Sequence, residues 1–269
     1  MDLQLEQKVV IITGGAKGIG AGITRAFAAE GAVAVILGRN PREAAALVDE
    51  LAAAGQRADS FHAEMTSEEE IRKAVEDILC KHGRIDVVVN NAGGNDAVSV
   101  RGTPEEFLTS LQRNLVPAFT LAHHALDALI ASRGTIVNIG SKTADTGQGG
   151  TSGYAAAKGG LNALTREWAL DLAKFGIRVN CVIPAEVITP HYERWLANTP
   201  DPAAAREQLD ASVPLGRRTT SIPEVADLVV FIASPRSSHT TGQLLYPDGG
   251  YVHLDRACTA DTSHLSSTD

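Results

Sequence analysis

The sequence predicts an α/β domain whose parallel β-sheet carries helices on both faces. Short runs of apolar, largely β-branched residues alternate with helix-like segments along most of the 269 residues. Apart from a weak third candidate over 58–62, these strand candidates are continuous apolar runs rather than alternately apolar and polar, which is typical of strands buried on both faces of a parallel sheet. No stretch has the composition of a linker, so we expect one large domain rather than two.

The strand and helix candidates follow one another in regular order. The strand candidates are short apolar runs bounded by glycine, proline or polar residues, and they cover 8–13, 33–37, 58–62, 86–90, 135–139, 177–183 and 243–246. The helix candidates are longer, and they cover 21–30, 42–54, 67–81, 104–131, 153–175 and 223–233. This alternation predicts parallel pairing, because parallel neighbours need a crossover that is usually a helix.

Local features place several boundaries. Gly31 suits the end of the first helix, since glycine adopts the left-handed conformation without a steric penalty. Ser67 is the expected N-cap of the third helix, and Glu70 is expected to complete a capping box. Four prolines interrupt 188–218, which we interpret as a flap over the site. We expect one domain over 1–256 and a polar tail over 257–269.

Composition limits the classes of partner. The net charge of −8 argues against nucleic acid or an anionic membrane as a main partner. We expect no membrane span, because no apolar run approaches the ~20 residues that a bilayer requires, and the first residues do not resemble a secretory signal. The three cysteines are far apart and odd in number. This disfavours a disulfide framework or a structural metal, so we expect no metal and a cytoplasmic location.

Tyr154 and Lys158 form the most informative pair of residues in the chain. They lie four positions apart in an alanine-rich helical segment and therefore share one helix face. An ammonium group beside a phenol favours the phenolate, which turns a weak base into a usable one near neutral pH. The hydroxyl of Ser141 is a candidate to bind the same reacting oxygen. By itself the pair also fits an ordinary amphipathic helix, so the assignment depends on the rest of the chain.

A glycine-rich turn follows the first strand directly and opens the first helix. Gly14, Gly18 and Gly20 allow the backbone to turn tightly and to approach a pyrophosphate at the helix N-terminus. Lys17 and Ile19 lie within the same turn. The position of this turn, after a strand and before a helix, indicates a dinucleotide site rather than a plain turn.

The residues after the second strand indicate which dinucleotide is bound. NAD sites of this architecture place Asp or Glu there to bind ribose hydroxyls, whereas this chain has Gly38, Arg39 and Asn40. Arg39 can bind a 2′-phosphate through two parallel hydrogen bonds, and Lys17 lies on the same side. Each cation alone is more often a solvated surface charge. The two together favour NADP over NAD, and use of NAD is left open.

Four motifs, in this order, resemble the short-chain dehydrogenase/reductase family. They are the glycine turn at 13–20, the Asn-Asn-Ala-Gly end of the fourth strand at 90–93, Ser141, and Tyr154 with Lys158, and the resemblance spans 5–252. It implies a single Rossmann-type domain with a doubly wound, seven-stranded parallel sheet, usually assembled as a homotetramer. The stretches 141–149, 165–168, 184–190 and 248–256 are further similar to bacterial L-fucose dehydrogenases. Those enzymes oxidise C1 of L-fucose and related sugars, such as D-arabinose and L-galactose, to lactones.

The resemblance also implies roles for individual residues. Tyr154 would be the general acid/base, Lys158 would favour its phenolate and hold the nicotinamide ribose, and Ser141 would bind the substrate oxygen. Asn114 would hold the proton-relay water. The remaining cofactor contacts would come from residues at the ends of successive strands, namely Asn91 by the adenosine ribose, Glu64 and Met65 by the adenine, and Val187 and Thr189 by the nicotinamide.

The chain departs from the family pattern at three positions. Glu64 stands where an aspartate is usual, Gly140 where many members have a second serine, and Ala185 where a glycine is usual. A sugar site needs polar groups for each hydroxyl, because unpaired buried hydroxyls are costly. The candidates near the substrate side are Asn95, Gln148, Glu186 and His191.

Two other functions share parts of this pattern. Reductases of small carbonyl or 3-oxoacyl substrates carry every catalytic motif, but they predict an apolar flap or a basic patch for an acyl carrier. The flap here is mixed and carries acidic residues, which favours a small polar substrate. A non-catalytic nucleotide-binding member would be expected to have lost Ser141, Tyr154 or Lys158, and all three are present.

Overall fold

Parallel strands form the centre of the structure, a computed structural model that describes residues 1–253. The strands are β1 (Val9–Thr13), β2 (Val33–Gly38), β3 (Ala58–His62), β4 (Val87–Asn90), β5 (Thr135–Ile139), β6 (Arg178–Val182) and β7 (Leu244–Leu245). Their order in the sheet is β3-β2-β1-β4-β5-β6-β7, and every neighbouring pair is parallel. The predicted seven-stranded, doubly wound parallel sheet is confirmed.

The strand order reverses between β1 and β4. The chain runs outward from β1 to β3, returns to β4 on the other side of β1, and then continues outward to β7. Val10 of β1 therefore pairs with Ala34 of β2 on one side and with Val87 of β4 on the other. In sheets of this kind, ligands bind at the carboxyl ends of the strands where the order reverses.

The helices cover both faces of the sheet. They are α1 (Gly18–Ala29), α2 (Pro41–Ala53), α3 (Glu68–His82), α4 (Pro104–Asn114), α5 (Val116–Ser132), α6 (Ser152–Asp171), α7 (Pro190–Ala197), α8 (Pro202–Ala211) and α9 (Ile222–Ala233). Phe27 of α1, Leu47 of α2 and Val229 of α9 belong to one buried apolar cluster. Ile71 of α3 and Leu121 of α5 belong to a second cluster on the opposite face.

The helix predicted over 104–131 is divided into α4 and α5, so the prediction of one long helix was wrong. Leu115 separates the two with φ −125° and ψ −53°. Pro117 has no N–H to donate to the carbonyl four residues back. Ala118 donates to the Leu115 carbonyl at 3.1 Å rather than to that of Asn114. The break releases the Asn114 carbonyl from helical hydrogen bonding.

The start of α3 differs from the predicted capping box. Ser67 is the N-cap, and its hydroxyl accepts from the Glu70 N–H at 3.3 Å, as expected. The Glu70 carboxylate, however, accepts from the Glu64 N–H at 2.8 Å instead of returning to Ser67. Glu70 thus fixes the loop after β3, which carries Glu64 and Met65.

The segment Pro104–Ser132 is long and apolar enough to cross a membrane by length and composition, so the expectation of no such segment was too strict. The core helix of a soluble protein passes the same test, and this evidence is weak. Leu121, Ala125 and Leu129 of α5 are fully buried in the core of the domain. This packing accounts for the apolar composition of the segment.

The flap predicted over 188–218 contains α7 and α8. Thr189 caps α7 by accepting from the Tyr192 N–H at 3.3 Å, and Asp201 caps α8. An isolated parallel bridge joins Val187 to Thr220, so the chain before the flap and the chain after it are held together. Movement of the flap and the domain boundary at 256 stay predictions. The tail over 257–269 lies outside the described residues.

Candidate active site

Tyr154 and Lys158 meet on the buried side of α6. Lys158 is 3% exposed, and its ammonium nitrogen lies 5.6 Å from the centre of the Tyr154 ring. The same nitrogen donates to the carbonyl oxygen of Ile139, the last residue of β5, at 2.7 Å. This bond compensates part of the cost of burying the ammonium group. It leaves two further N–H donors for other partners.

Ser141 follows β5 by two residues, at the carboxyl edge of the sheet. Its hydroxyl oxygen accepts from the backbone N–H of Thr143 at 3.3 Å and from the Thr143 hydroxyl at 3.0 Å. Two accepted bonds fill the lone pairs of the oxygen, so the Ser141 proton is left to be donated. The predicted binding of the substrate oxygen by Ser141 stays a prediction.

Asn114 is buried at the break between α4 and α5. Its side-chain amide donates to the Ser110 carbonyl at 3.1 Å, and its side-chain oxygen accepts from the Gly94 N–H at 2.8 Å. These bonds fix the loop after β4 against α4. Because the helix breaks here, the backbone carbonyl of Asn114 is the group that can hold a water. The Asn114 side chain is thus engaged in fixing the loop, and the predicted role of Asn114 in a proton relay would fall to its backbone carbonyl and stays a prediction.

The glycine turn between β1 and α1 is tightly closed. Gly14 has φ +63° and Gly18 has φ +51°, which suit glycine. A Cβ atom at Gly20 would overlap the Gly14 carbonyl oxygen and lie 2.6 Å from the Asn91 amide nitrogen. Ile19 is half-buried in the first turn of α1. The turn therefore presents bare backbone at the helix N-terminus, as a pyrophosphate site requires.

Asn91 supports this turn from the neighbouring strand end. Its side-chain amide donates to the Thr13 carbonyl at 2.9 Å and to the Gly14 carbonyl at 3.4 Å. The Thr13 hydroxyl in turn accepts from the N–H groups of Asn91 and Ala92, each at 2.9 Å. Asn91 therefore holds the ends of β1 and β4 together, next to where the ribose was predicted.

Both cations predicted for the 2′-phosphate are paired with carboxylates. Lys17 forms an ion pair with Glu43 at the start of α2. Arg39, whose side chain is 78% exposed, lies 3.7 Å from the Glu64 carboxylate. Glu64 was predicted to bind the adenine, and in the structure it faces Arg39, while Met65 is half-buried beside it. The sequence did not predict either pairing, because each partner comes from another element.

The residues predicted near the nicotinamide lie on the strand-end loop after β6. Val187 is buried and bridges to Thr220. A Cβ atom at Gly18 would lie 3.5 Å from the Thr189 side chain, so the start of α7 lies over the glycine turn. The loop after β6 and the glycine turn are thus neighbours at the carboxyl edge of the sheet.

The four predicted substrate residues have different surroundings. Asn95 accepts from the N–H of Ala97 at 3.0 Å and closes its own turn. Gln148 is exposed in the loop before α6. His191 belongs to α7, and its side chain lies outside the described part of the chain. Of the other three residues, only Glu186 is buried, with 4% of its surface exposed.

Glu186 belongs to a buried polar cluster that sequence reasoning only partly found. One carboxylate oxygen accepts from the Lys142 ammonium, and the other accepts from the Tyr192 hydroxyl. Lys142 also donates to the Tyr251 hydroxyl at 3.0 Å. Lys142 was missed, although a lysine directly after Ser141 at a strand end could have drawn attention to it. We call Lys142, Glu186, Tyr192 and Tyr251 the polar cluster.

The packing around Gly140 accounts for one departure from the family pattern. A Cβ atom there would lie 2.8 Å from Ile183 and 2.9 Å from the sulfur of Cys181. Cys181 is fully buried, and this burial raises the pKa of its thiol to about 12. A serine at position 140 would therefore require Ile183 or Cys181 to shift.

Comparison with known proteins agrees with this geometry. The chain matches a family model described as Enoyl-(Acyl carrier protein) reductase over residues 14–252. It is 40% identical over 245 residues to the L-fucose dehydrogenase of Oryctolagus cuniculus, which covers 90% of this chain and 84% of that protein. It is 38% identical over 252 residues to the 3-oxoacyl-[acyl-carrier-protein] reductase FabG of Thermotoga maritima, which covers 93% of this chain and 100% of the other.

Solved structures show the same architecture. The crystal structure of Cj0485 dehydrogenase superposes with a TM-score of 0.91 at 45% identity, covering 96% of this chain and 98% of that one. An actinorhodin polyketide ketoreductase variant with NADPH superposes with a TM-score of 0.86 at 29% identity, covering 92% and 98%. The family match, the relatives and the site geometry show that this chain belongs to the short-chain dehydrogenase/reductase family and is an oxidoreductase that uses a nicotinamide cofactor.

Proposed function

We propose that this enzyme oxidises C1 of an aldose of the L-fucose, D-arabinose or L-galactose type to the lactone, with NADP preferred over NAD. The observation that carries the proposal is the buried carboxylate of Glu186 on the substrate side, hydrogen-bonded to Tyr192 and Lys142. A charged, hydroxyl-rich cluster suits a polyhydroxylated substrate, whereas an acyl chain could not use its remaining donors and acceptors. The 40% identity to a mammalian L-fucose dehydrogenase supports the same conclusion.

The chemistry follows from the placement of three side chains. Tyr154, as phenolate, takes the proton of the anomeric hydroxyl, and Lys158 stabilises the charge on the phenolate. Ser141 donates its free proton to the same oxygen and holds it in place. The carbonyl of the lactone forms as C1 loses its hydrogen with the bonding electron pair. The nicotinamide, when bound, accepts that hydride.

The residues present fit a dinucleotide. The bare glycine turn at the start of α1 would hold the pyrophosphate, and Asn91 fixes that turn. Lys17 and Arg39 are both at the surface on the adenosine side, where a 2′-phosphate could replace their carboxylate partners. Val187 and Thr189 line the other end. Lys158 retains two N–H donors for the ribose and the Tyr154 oxygen.

A second candidate function is reduction of 3-oxoacyl or other small carbonyl substrates. The 38% identity to a bacterial 3-oxoacyl reductase over the whole of that protein favours it. The catalytic groups would run in reverse, with Tyr154 giving its proton to the new alcohol. This candidate requires the polar cluster to tolerate an apolar chain, which is its weakness.

The deciding experiment is an initial-rate assay of nucleotide reduction. NADP+ and NAD+ are each tested against L-fucose, D-arabinose, L-galactose, D-glucose and two secondary alcohols, and NADPH is tested against a 3-oxoacyl thioester. We expect rates on the first three sugars, with a higher kcat/KM for NADP+. Turnover of the thioester with silence on all sugars would replace our proposal with the second candidate.

We also propose that the enzyme is a homotetramer. Leu108 of α4 and Val116 and Phe119 of α5 are large apolar side chains that are 57%, 46% and 53% exposed. Exposed apolar side chains grouped on one pair of helices mark a surface for association. Light scattering coupled to gel filtration should give about four times the chain mass, and a monomer would refute the assembly without affecting the catalytic proposal.

A further inference from the structure

Lys142 holds a position in the chain that has not been given a role. It follows Ser141 directly and begins a single 3₁₀ turn, Lys142–Ala144. Its backbone N–H donates to the Pro184 carbonyl at 3.2 Å, which ties the loop after β5 to the loop after β6. Its side chain is therefore fixed at the junction of the two loops that carry Ser141 and Glu186.

The Lys142 ammonium is buried and paired. The residue is 7% exposed, and it donates to the Glu186 carboxylate and to the Tyr251 hydroxyl. The nitrogen also lies 4.1 Å from the centre of the Tyr251 ring, a cation–π distance. Burying two charges costs several kcal/mol per ion before pairing, so ion pairs of this kind give little net stability. A role in ligand recognition would explain why a buried pair stands beside the catalytic groups.

The polar cluster has hydrogen-bonding capacity beyond its internal bonds. A lysine ammonium has three N–H donors, and among residues 1–253 two of them are used. Tyr251 accepts from Lys142, so its own proton is available to donate. Each oxygen of Glu186 accepts one bond and can accept another. The cluster thus offers donors and acceptors side by side, which is the pattern that a hydroxyl group satisfies and a thioester does not.

The cluster also stands on the loops that carry the proposed reacting groups. The Lys142 N–H bond to the Pro184 carbonyl joins the loop after β5, which carries Ser141, to the loop after β6. Tyr192 lies in the first turn of α7, whose N-cap Thr189 is one of the residues proposed to contact the nicotinamide. The cluster is therefore held at the carboxyl edge of the sheet, between the proposed substrate and nicotinamide residues.

We propose that Lys142 is a specificity-determining residue that binds the sugar hydroxyl neighbouring the reacting carbon, donating to its oxygen while Glu186 accepts its proton. The inference rests on the proposed sugar oxidation and adds the residue that selects a vicinal hydroxyl. Tyr251 positions the pair by accepting from the Lys142 ammonium, and Tyr192 does so by donating to the Glu186 carboxylate. An enzyme with this arrangement discriminates against sugars that lack the hydroxyl on the carbon next to C1.

The experiment compares Lys142→Met with wild type on L-fucose and on its 2-deoxy analogue, which lacks only that hydroxyl. We expect the kcat/KM of wild type to be about tenfold to a hundredfold higher on L-fucose than on the 2-deoxy analogue. A buried site rejects an analogue that lacks a hydroxyl the site is built to bind. Lys142→Met should lower kcat/KM for L-fucose by about that factor and leave the rate on the deoxy sugar nearly unchanged. Lys142→Arg should restore part of the preference.

The controls separate binding from folding. Lys174→Met removes an exposed lysine that is paired with Asp171 on the surface, and should change neither rate. Thermal unfolding and NADP+ affinity report whether Lys142→Met remains folded. Equal losses on both sugars would show that Lys142 only supports the loops and would overturn the inference while the sugar oxidation stands. No wild-type rate on any sugar would refute the proposed function itself, and the inference with it.

Discussion

Replacing Glu64 with glutamine should tighten NADP+ binding and leave NAD+ binding unchanged. Glu64 lies 3.7 Å from Arg39, the residue proposed to bind the 2′-phosphate. A phosphate that takes Arg39 as its partner must displace the carboxylate and then remain near its negative charge. Glutamine keeps the size of the side chain and removes the charge.

The magnitude follows from the distance and the exposure of the pair. Two unit charges 3.7 Å apart attract by about 1 kcal/mol in a water-like dielectric. Arg39 and Glu64 have side chains that are 78% and 38% exposed, and exposed pairs measured in other proteins contribute about 0.2–1 kcal/mol. Since 1.4 kcal/mol is a factor of ten in Kd, Glu64→Gln should lower the Kd for NADP+ about 1.4-fold to fivefold.

The assay is titration of each nucleotide by quenching of intrinsic fluorescence or by calorimetry, at low and at high salt. The ratio of the two Kd values cancels any effect on the adenine, because NAD+ and NADP+ share it. Glu50→Gln is the matched control, since Glu50 pairs with Arg25 on the surface at 2.7 Å, and it should change neither affinity. The effect of Glu64→Gln should shrink at high salt because surface charges are screened.

An unchanged or weakened affinity for NADP+ in Glu64→Gln would refute the reasoning. The complementary change, Arg39→Asp, replaces a phosphate partner with a partner for ribose hydroxyls. We expect it to shift the ratio of kcat/KM from NADP+ toward NAD+ by at least tenfold. If both variants leave the nucleotide ratio as it is, Arg39 is a surface charge and the preference for NADP has no basis at this site.

Three further predictions test other parts of the site. Tyr154→Phe should abolish turnover while NADP+ binds as before, because only the proton-transfer group is lost; retained kcat would contradict the mechanism. Gly20→Ala should weaken nucleotide binding at least tenfold, since its Cβ would overlap the glycine turn. The control is Gly55→Ala, where φ is +73° but no atom lies within 4 Å of the added Cβ, and it should lower stability without changing nucleotide binding. Hydrogen bonding from Arg218 lowers the pKa of Glu224 to about 2. The ionised group therefore stabilises the fold fully above its ordinary pKa of 4.5, and this stabilisation is lost as the pH falls toward 2. In Glu224→Gln the free energy of unfolding should depend less on pH between these values, and a pH dependence identical to that of wild type would contradict the prediction.

The sequence predicted the sheet well because its strands are distinctive. The run in β1 is apolar at every position but its last, and the glycine turn that follows it marks where the strand ends and the first helix begins. Tyr154 and Lys158 were placed correctly because helix geometry alone brings residues four apart together. In these cases local rules are sufficient.

Predictions failed where the answer depended on partners from distant elements. Lys17 and Arg39 were assigned to a 2′-phosphate, which stays a prediction, but the carboxylate that each meets from another element was not foreseen. Lys142 was missed because its partners, Glu186 and Tyr251, lie 44 and 109 residues away. The break at Leu115 was missed for another reason, since Pro117 was taken into a helix whose hydrogen bonding it interrupts.

The packing beneath Gly140 constrains how this protein can change over evolutionary time. Ile183 and Cys181 occupy the space into which a side chain at 140 would project. A serine at 140 should therefore destabilise the fold unless Ile183 or Cys181 shifts or is replaced by a smaller residue. The order of substitution then matters: the fold is disturbed less when the smaller residue is introduced before the serine than when the serine comes first.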